Sequence, residues 1–152
     1  MAALQVMGNP EFIIGSYNST TKVITPKTLT AAYTGTGACV SSELFARNIY
    51  TIALDIFYTM GSGETSNSIE FIIETSIDGT NWTRIVNDSS SAGTSTVTQR
   101  ESTFVGADGA LASIHVPLNN ITAEKIRVSV KETGKATNFG TVAVALTKFQ
   151  EV

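Results

Sequence analysis

The stretch from Ile69 to Val86 limits what this chain can become more than any other. Ile69, Phe71 and Ile73 fall on one face of an extended segment and Glu70 and Glu74 on the other, because successive side chains of a strand alternate. The run closes on Ser76-Ile77-Asp78-Gly79-Thr80-Asn81-Trp82, and Thr83-Arg84-Ile85-Val86 resumes. Asp78-Gly79 predicts a tight reverse turn with Gly79 at positive φ, where a residue without a Cβ meets no clash. Trp82 then enters the second strand. A chain holding such a hairpin must supply further strands to cover its apolar face.

It does so repeatedly. In Ile49–Thr59, Ile52, Leu54, Ile56 and Tyr58 alternate with Thr51, Ala53, Asp55 and Phe57. Glu124–Glu132 alternates strictly, with Ile126, Val128 and Val130 inward, and Thr141–Phe149 places Val142, Val144 and Leu146 on one face. Weaker extended runs lie at Lys22–Tyr33, Thr94–Phe104 and Leu111–Leu118. The first is broken at Pro26, which has no N–H to give a sheet and so marks an edge or a bend. Cys39–Ala46 reads equally as a strand or a helical turn, and the Ser-rich Asn87–Thr94 reads as a mobile loop. The expected fold is all-β: an antiparallel two-sheet sandwich, an eight-stranded jelly roll, with an immunoglobulin-like sandwich as the nearest competitor. Residues 1–19 form an irregular N-terminal arm and 20–152 a single β-sandwich domain. Phe12, Ile13 and Ile14 are the arm's apolar cluster and its candidate protein contact, made either with the domain itself or with a neighbour.

Composition excludes several classes of function. The net charge is −3 with 15% charged residues, so no basic face offers itself to nucleic acid. No apolar run reaches the ~20 residues that span a bilayer. Cys39 is the single cysteine, so no intrachain disulfide forms, and Met1–Met7 does not read as a signal peptide. His115 is the single histidine and has no second ligand at metal spacing. No Gly-x-Ser-x-Gly elbow holds a nucleophile. Glu70 and Glu74 share a face but stand roughly 13 Å apart, too far for a glycosidase pair. Glu64, Asp78 and Asp108 lie near loops without a calcium-loop pattern. Asp78, Gly79 and Trp82 are read as turn structure, with Trp82 packed in or just under the surface rather than offered to a sugar ring. No catalytic residue, metal or cofactor is expected.

The hairpin Glu74-Thr75-Ser76-Ile77-Asp78-Gly79-Thr80-Asn81-Trp82-Thr83-Arg84-Ile85 resembles one found in β-sandwich proteins of tailed-bacteriophage virions. The strand Ile126-Arg127-Val128-Ser129-Val130-Lys131-Glu132 is similar to one that often follows it there. Of these proteins the chain is most like the capsid decoration, or cement, proteins. The resemblance implies a non-enzymatic structural protein that binds and reinforces a phage shell through its major capsid protein. It further implies a homotrimer that is made in the host cytoplasm and carried in the virion. The alternative is a phage tail or host-recognition component, or a carbohydrate-binding β-sandwich module, for which a glycan would be the ligand.

Overall fold

A computed structural model describes residues 4–6, 9–45, 51–65, 67–84, 86–91, 94–99, 101–105, 111–119, 123–135 and 137–151. Every regular element in this range is a strand. In chain order they are β1 (Leu4–Val6), β2 (Glu11–Ile14), β3 (Ser16–Asn18), β4 (Val23–Thr25), β5 (Lys27–Thr28), β6 (Cys39–Val40), β7 (Leu44–Phe45) and β8 (Thr51–Thr59). There follow β9 (Ser68–Ser76), β10 (Thr83–Arg84), β11 (Val86–Ser91), β12 (Thr94–Gln99), β13 (Glu101–Val105), β14 (Leu111–Asn119), β15 (Lys125–Thr133) and β16 (Thr141–Glu151).

All pairings are antiparallel; twelve segments fall into two sheets, and β3 with β4 and β11 with β12 form separate two-stranded ribbons. In sheet 1, β14 pairs β8, β8 pairs β16, and β1, β2 and β5 lie end to end along the far side of β16. In sheet 2, β10 and β13 lie end to end along β9, β9 pairs β15, and β6 and β7 lie end to end along β15. Each sheet therefore has four strand positions, several filled by short pieces, and the whole has the eight positions of a jelly-roll-like sandwich. The core follows from the alternation: Leu54, Ile56 and Tyr58, Val142 and Val144, Ile69, Phe71 and Ile73, and Val128 and Val130 form one buried cluster between the sheets.

Three local expectations change. Asn87–Thr94, expected as a loop, is mostly strand: β11 and β12 pair with each other from Val86↔Gln99 to Ser91↔Thr94. The threonines of β12 favour extended backbone, and β11 pairs along it despite the Ser run that reads as a loop. The return strand after the Asp-Gly turn is also shorter than expected. Among the described residues of this return strand, only Thr83 and Arg84 pair with β9, and Val86 already belongs to the β11–β12 ribbon. Finally, two pieces of the expected irregular arm are strands along β16, β1 at Leu4–Val6 and β2 at Glu11–Ile14, while β3 leaves that sheet. β2 takes a bulge, with Phe12 opposite Ala145 and Ile14 opposite Val144, and Ile13 is the extra residue.

Both sheets share one construction. Between β2 and β5 the chain departs from the edge of sheet 1 as a ribbon, β3–β4, closed by Ser16↔Thr25 and Asn18↔Val23. Between β10 and β13 it departs from the edge of sheet 2 as the ribbon β11–β12. Each ribbon is an insertion into one edge strand.

Candidate docking face

The two sheets use the same inward residues and very different outward ones. On the outer face of sheet 2, Glu74 of β9 lies between Arg127 of β15 and Arg84 of β10. Arg127 Nε donates to Glu74 Oε2 at 2.6 Å, and its guanidinium lies 4.3 Å from the centre of the Trp82 ring. Lys131 pairs with Glu70 at 2.9 Å and lies 4.7 Å over the Tyr33 ring, with Arg84 5.5 Å from the same ring. The two carboxylates that sequence spacing placed on one face are thus held by cations from the next strand. Trp82 is half-buried and outside the core cluster, the sub-surface of the two placements its sequence left open. A dent of ≈110 Å³ between Tyr33 and Arg84 is small beside ligand pockets of ~300–1,000 Å³.

The outer face of sheet 1 carries little charge. Ala53 of β8 and Ala143 and Ala145 of β16 make a floor of small side chains. Phe57 of β8, Phe12 of β2 and Tyr17 of β3 stack across it, with ring centroids 6.2 and 5.7 Å apart and planes 16° apart. His115 of β14 stands opposite Asp55 of β8, Nδ1 to Oδ1 2.6 Å, both well exposed. The stack continues outward onto the β3–β4 ribbon, where Tyr17 is 44% and Val23 54% exposed. That ribbon is well closed at both ends. Asn18 Oδ1 accepts the N–H groups of Thr20 and Thr21, and a Cβ on Gly15, whose φ is +75°, would lie 2.7 Å from the Thr25 carbonyl oxygen.

The three arm residues divide between inside and outside. The bulge turns Ile13 and Ile14 into this chain's own core, 8% and 3% exposed, so neither is available to a neighbour. Phe12 alone remains on the outer face. Phe57 and Tyr17 were missed as site residues. The available signal was an aromatic among the outward positions of a strand, followed by small alanines at the outward positions of its partner.

At the Asp-Gly turn, Gly79 has φ +78°. Asp78 Oδ1 accepts Thr80 N–H and Asn81 N–H, each at 2.8 Å, and Oδ2 accepts Asn81 Nδ2 at 2.6 Å. Those donors, Asn81 and Thr80 first, hold the Asp78 carboxyl well below the usual carboxylate range. With its oxygens taken up by the turn, Asp78 is a structural residue, and Ile77 beside it is 84% exposed.

The carboxylates at the far end of the sandwich are also structural. Glu132 points inward from β15 and is 1% exposed. It accepts Tyr58 O–H at 2.5 Å from the opposite sheet, Asn67 Nδ2 at 3.3 Å and Gly140 N–H at 2.8 Å. Burial, the bond to Glu132 and the charges of Glu132 and Glu64 push the Tyr58 phenol far up. Glu64 accepts Thr137 N–H and Asn138 N–H at 2.6 and 2.7 Å. These bonds pin Glu64 and Asn67 to the loop at 137–140 and to the end of β15. Cys39 is fully buried and its Sγ donates to the Thr28 carbonyl at 3.2 Å. Burial raises its thiol pKa, partly offset by Lys27, the opposite of a reactive thiolate. Among the described residues no group of three or more His, Cys, Asp or Glu could hold a metal ion.

No family model matches the chain, and no curated protein matches it. Among solved structures it is similar to the CBM22-1 xylan-binding domain of Xyn10C from Paenibacillus barcinonensis, at 8% identity and a TM-score of 0.42. That likeness covers 98% of this chain and 85% of that one. It is too distant to carry an argument about ligand or residue roles.

Proposed function

We propose that this chain is a non-enzymatic binding protein that docks on a larger protein assembly through the outer face of sheet 1. The assembly proposed is a phage shell, as the virion resemblance implies. The observation that carries the reading is the Phe57–Phe12–Tyr17 stack over an alanine floor, ending in an exposed aromatic ring on a stiff ribbon. Rigid aromatic anchors with small neighbours give contact energy at low entropic cost. A shell presents the same patch many times, so a homotrimer engaging three copies binds far more tightly than one subunit. It also stabilises the assembled lattice over free subunits, because it binds only the former.

The experiment is co-sedimentation of the purified chain with decoration-free shells of the phage that encodes it. Wild type pellets with shells, and Tyr17→Ala loses most of that binding while remaining folded. If both proteins stay in the supernatant, the reading is wrong. Retention on immobilised glycans, blocked by free sugar and unaffected by Tyr17→Ala, would favour the carbohydrate-binding alternative instead.

A further inference from the structure

We infer that the β11–β12 ribbon is an exchange arm: the free edge of β12 adds to the free edge of β14 in a second copy of this chain. The argument starts from unpaired backbone. Among the described residues β14 pairs only with β8, so one side of a strand of nine residues has no partner. Among the described residues β12 pairs only with β11, which leaves its other side of six residues without a described partner. Open edges invite pairing, and natural proteins normally blunt them with charge, proline or brevity.

The edges of this molecule differ in that respect. The edge of sheet 2 along β15 and the edge of sheet 1 along β16 are broken into short pieces. β11 carries Asp88. β12 reads Thr94-Ser95-Thr96-Val97-Thr98-Gln99, with no charge and no proline, and is built from residues that favour strands. A two-stranded ribbon is marginal in water by itself, and this one has only Val86 and Val97 as apolar residues. Such an arm gains most by completing a sheet.

The length of the receiving edge agrees. Leu111–Val116 offers six residues before Pro117, whose missing N–H interrupts an edge, and β12 has six. The occupant is a second copy because donor and acceptor lie on the same flank. β13, at the edge of sheet 2, leads through segment 106–110 directly into β14, at the edge of sheet 1. An arm and a socket on one flank allow reciprocal exchange between two copies about a two-fold axis, which closes the assembly. This contact is separate from the docking face, and its test does not depend on shell binding.

The test uses the full chain. Thr96→Cys and Ser113→Cys are made in separate chains, mixed, and treated with a short bismaleimide; the native Cys39 is buried and does not compete. A cross-linked pair that forms only when both variants are present supports the exchange. A Thr96→Lys variant places a charge on the β12 edge. It should weaken self-association at least tenfold by analytical ultracentrifugation while leaving the melting of dilute protein unchanged. The inference is overturned if wild type is monomeric at high micromolar concentration. It is equally overturned if a chain carrying both cysteines links only within itself, or if Thr96→Lys self-associates like wild type.

Discussion

The two outer faces have the same backbone beneath them and opposite chemistry above it. Each is centred on a pair of long antiparallel strands, β8 with β16 and β9 with β15, whose inward positions are nearly all Ile, Leu, Val, Phe or Tyr. The outward positions of sheet 2 include Glu70, Glu74, Arg127 and Lys131, each set beside an opposite charge on the next strand, with Ile72 and Ser129 covered between them. Its cations also cover the rings of Trp82 and Tyr33. That face is satisfied in an isolated chain. The outward positions of sheet 1 include Ala53, Phe57, Ala143 and Ala145, and its last stacked ring remains in solvent. The inward set specifies a sandwich. The outward set decides which side of the sandwich gains from being covered.

The comparison is broken or sharpened most strongly at the arm, where one bulge sends neighbouring residues to different sides. Ile14→Ala empties a core position and should cost ~2–4 kcal/mol, read by urea melting. Phe12→Ala removes a ring from a surface stack and should cost about 1 kcal/mol, yet it should abolish shell binding by the folded protein. Deleting residues 1–15 would therefore destabilise the domain itself. Equal losses from Ile14→Ala and Phe12→Ala would place Phe12 in the core and remove the distinction between the faces.

A second perturbation acts on sheet 2 alone. Gly79→Val puts a β-branched residue at φ +78°, and should destabilise by roughly 1–3 kcal/mol through backbone strain. The new Cβ would meet the end of the Lys125 side chain, which can swing away, so the strain is the lasting cost. Shell binding per folded molecule should be unchanged. A Gly79→Val protein that melts like wild type would show that the turn tolerates its conformation without glycine.

How much of this was legible in the sequence follows from what periodicity reports. The long strands were visible because their inward residues are apolar in near-strict alternation, broken only towards strand ends as at Glu132, and their observed bounds fall within two residues of the expected ones. The short edge pieces were not, since two or three residues carry no period. The β11–β12 ribbon was hidden for the same physical reason that makes it unusual: with no apolar face it has no alternation, and its Ser run resembles a loop. The proposed docking face was half visible. Phe12 was singled out, but its stacking partners Phe57 and Tyr17 come from other strands, and only tertiary pairing brings them together. Glu132 was equally unreadable, because an inward glutamate at the end of an alternating strand makes sense only once Tyr58 and Gly140 are beside it.

A smaller effect is expected on the charged face. Arg127→Met removes a partner from Glu74 and a cation from Trp82 while keeping an aliphatic stem. Partly exposed pairs of this kind are screened by solvent, so the loss should be about 0.5–1 kcal/mol. The register leaves Arg84 still opposite Glu74, which limits the damage. Shell binding should be unaffected. A large loss of binding on Arg127→Met, with melting nearly intact, would move the docking site to sheet 2.

The smallest expected effect, and the most direct discriminator, is that of salt. Exposed charge pairs weaken once the screening length shortens from ~10 Å at 0.1 M to ~3 Å at 1 M. Contact between apolar surfaces does not weaken, and strongly hydrated anions such as sulfate strengthen it. If the protein docks through Phe57, Phe12 and Tyr17, its affinity for shells should change by less than about threefold between 0.1 and 1 M sodium chloride, and should rise in sodium sulfate. The Asp55–His115 pair lies on the same face and accounts for what small dependence remains. If the protein docks through the Glu70, Glu74, Arg127 and Lys131 ladder, every contact competes with salt and also breaks an internal pair. Affinity should then fall steeply over the same range. A titration of shell binding against salt therefore reads out which face is used, even where single substitutions leave both sheets folded and give ambiguous losses.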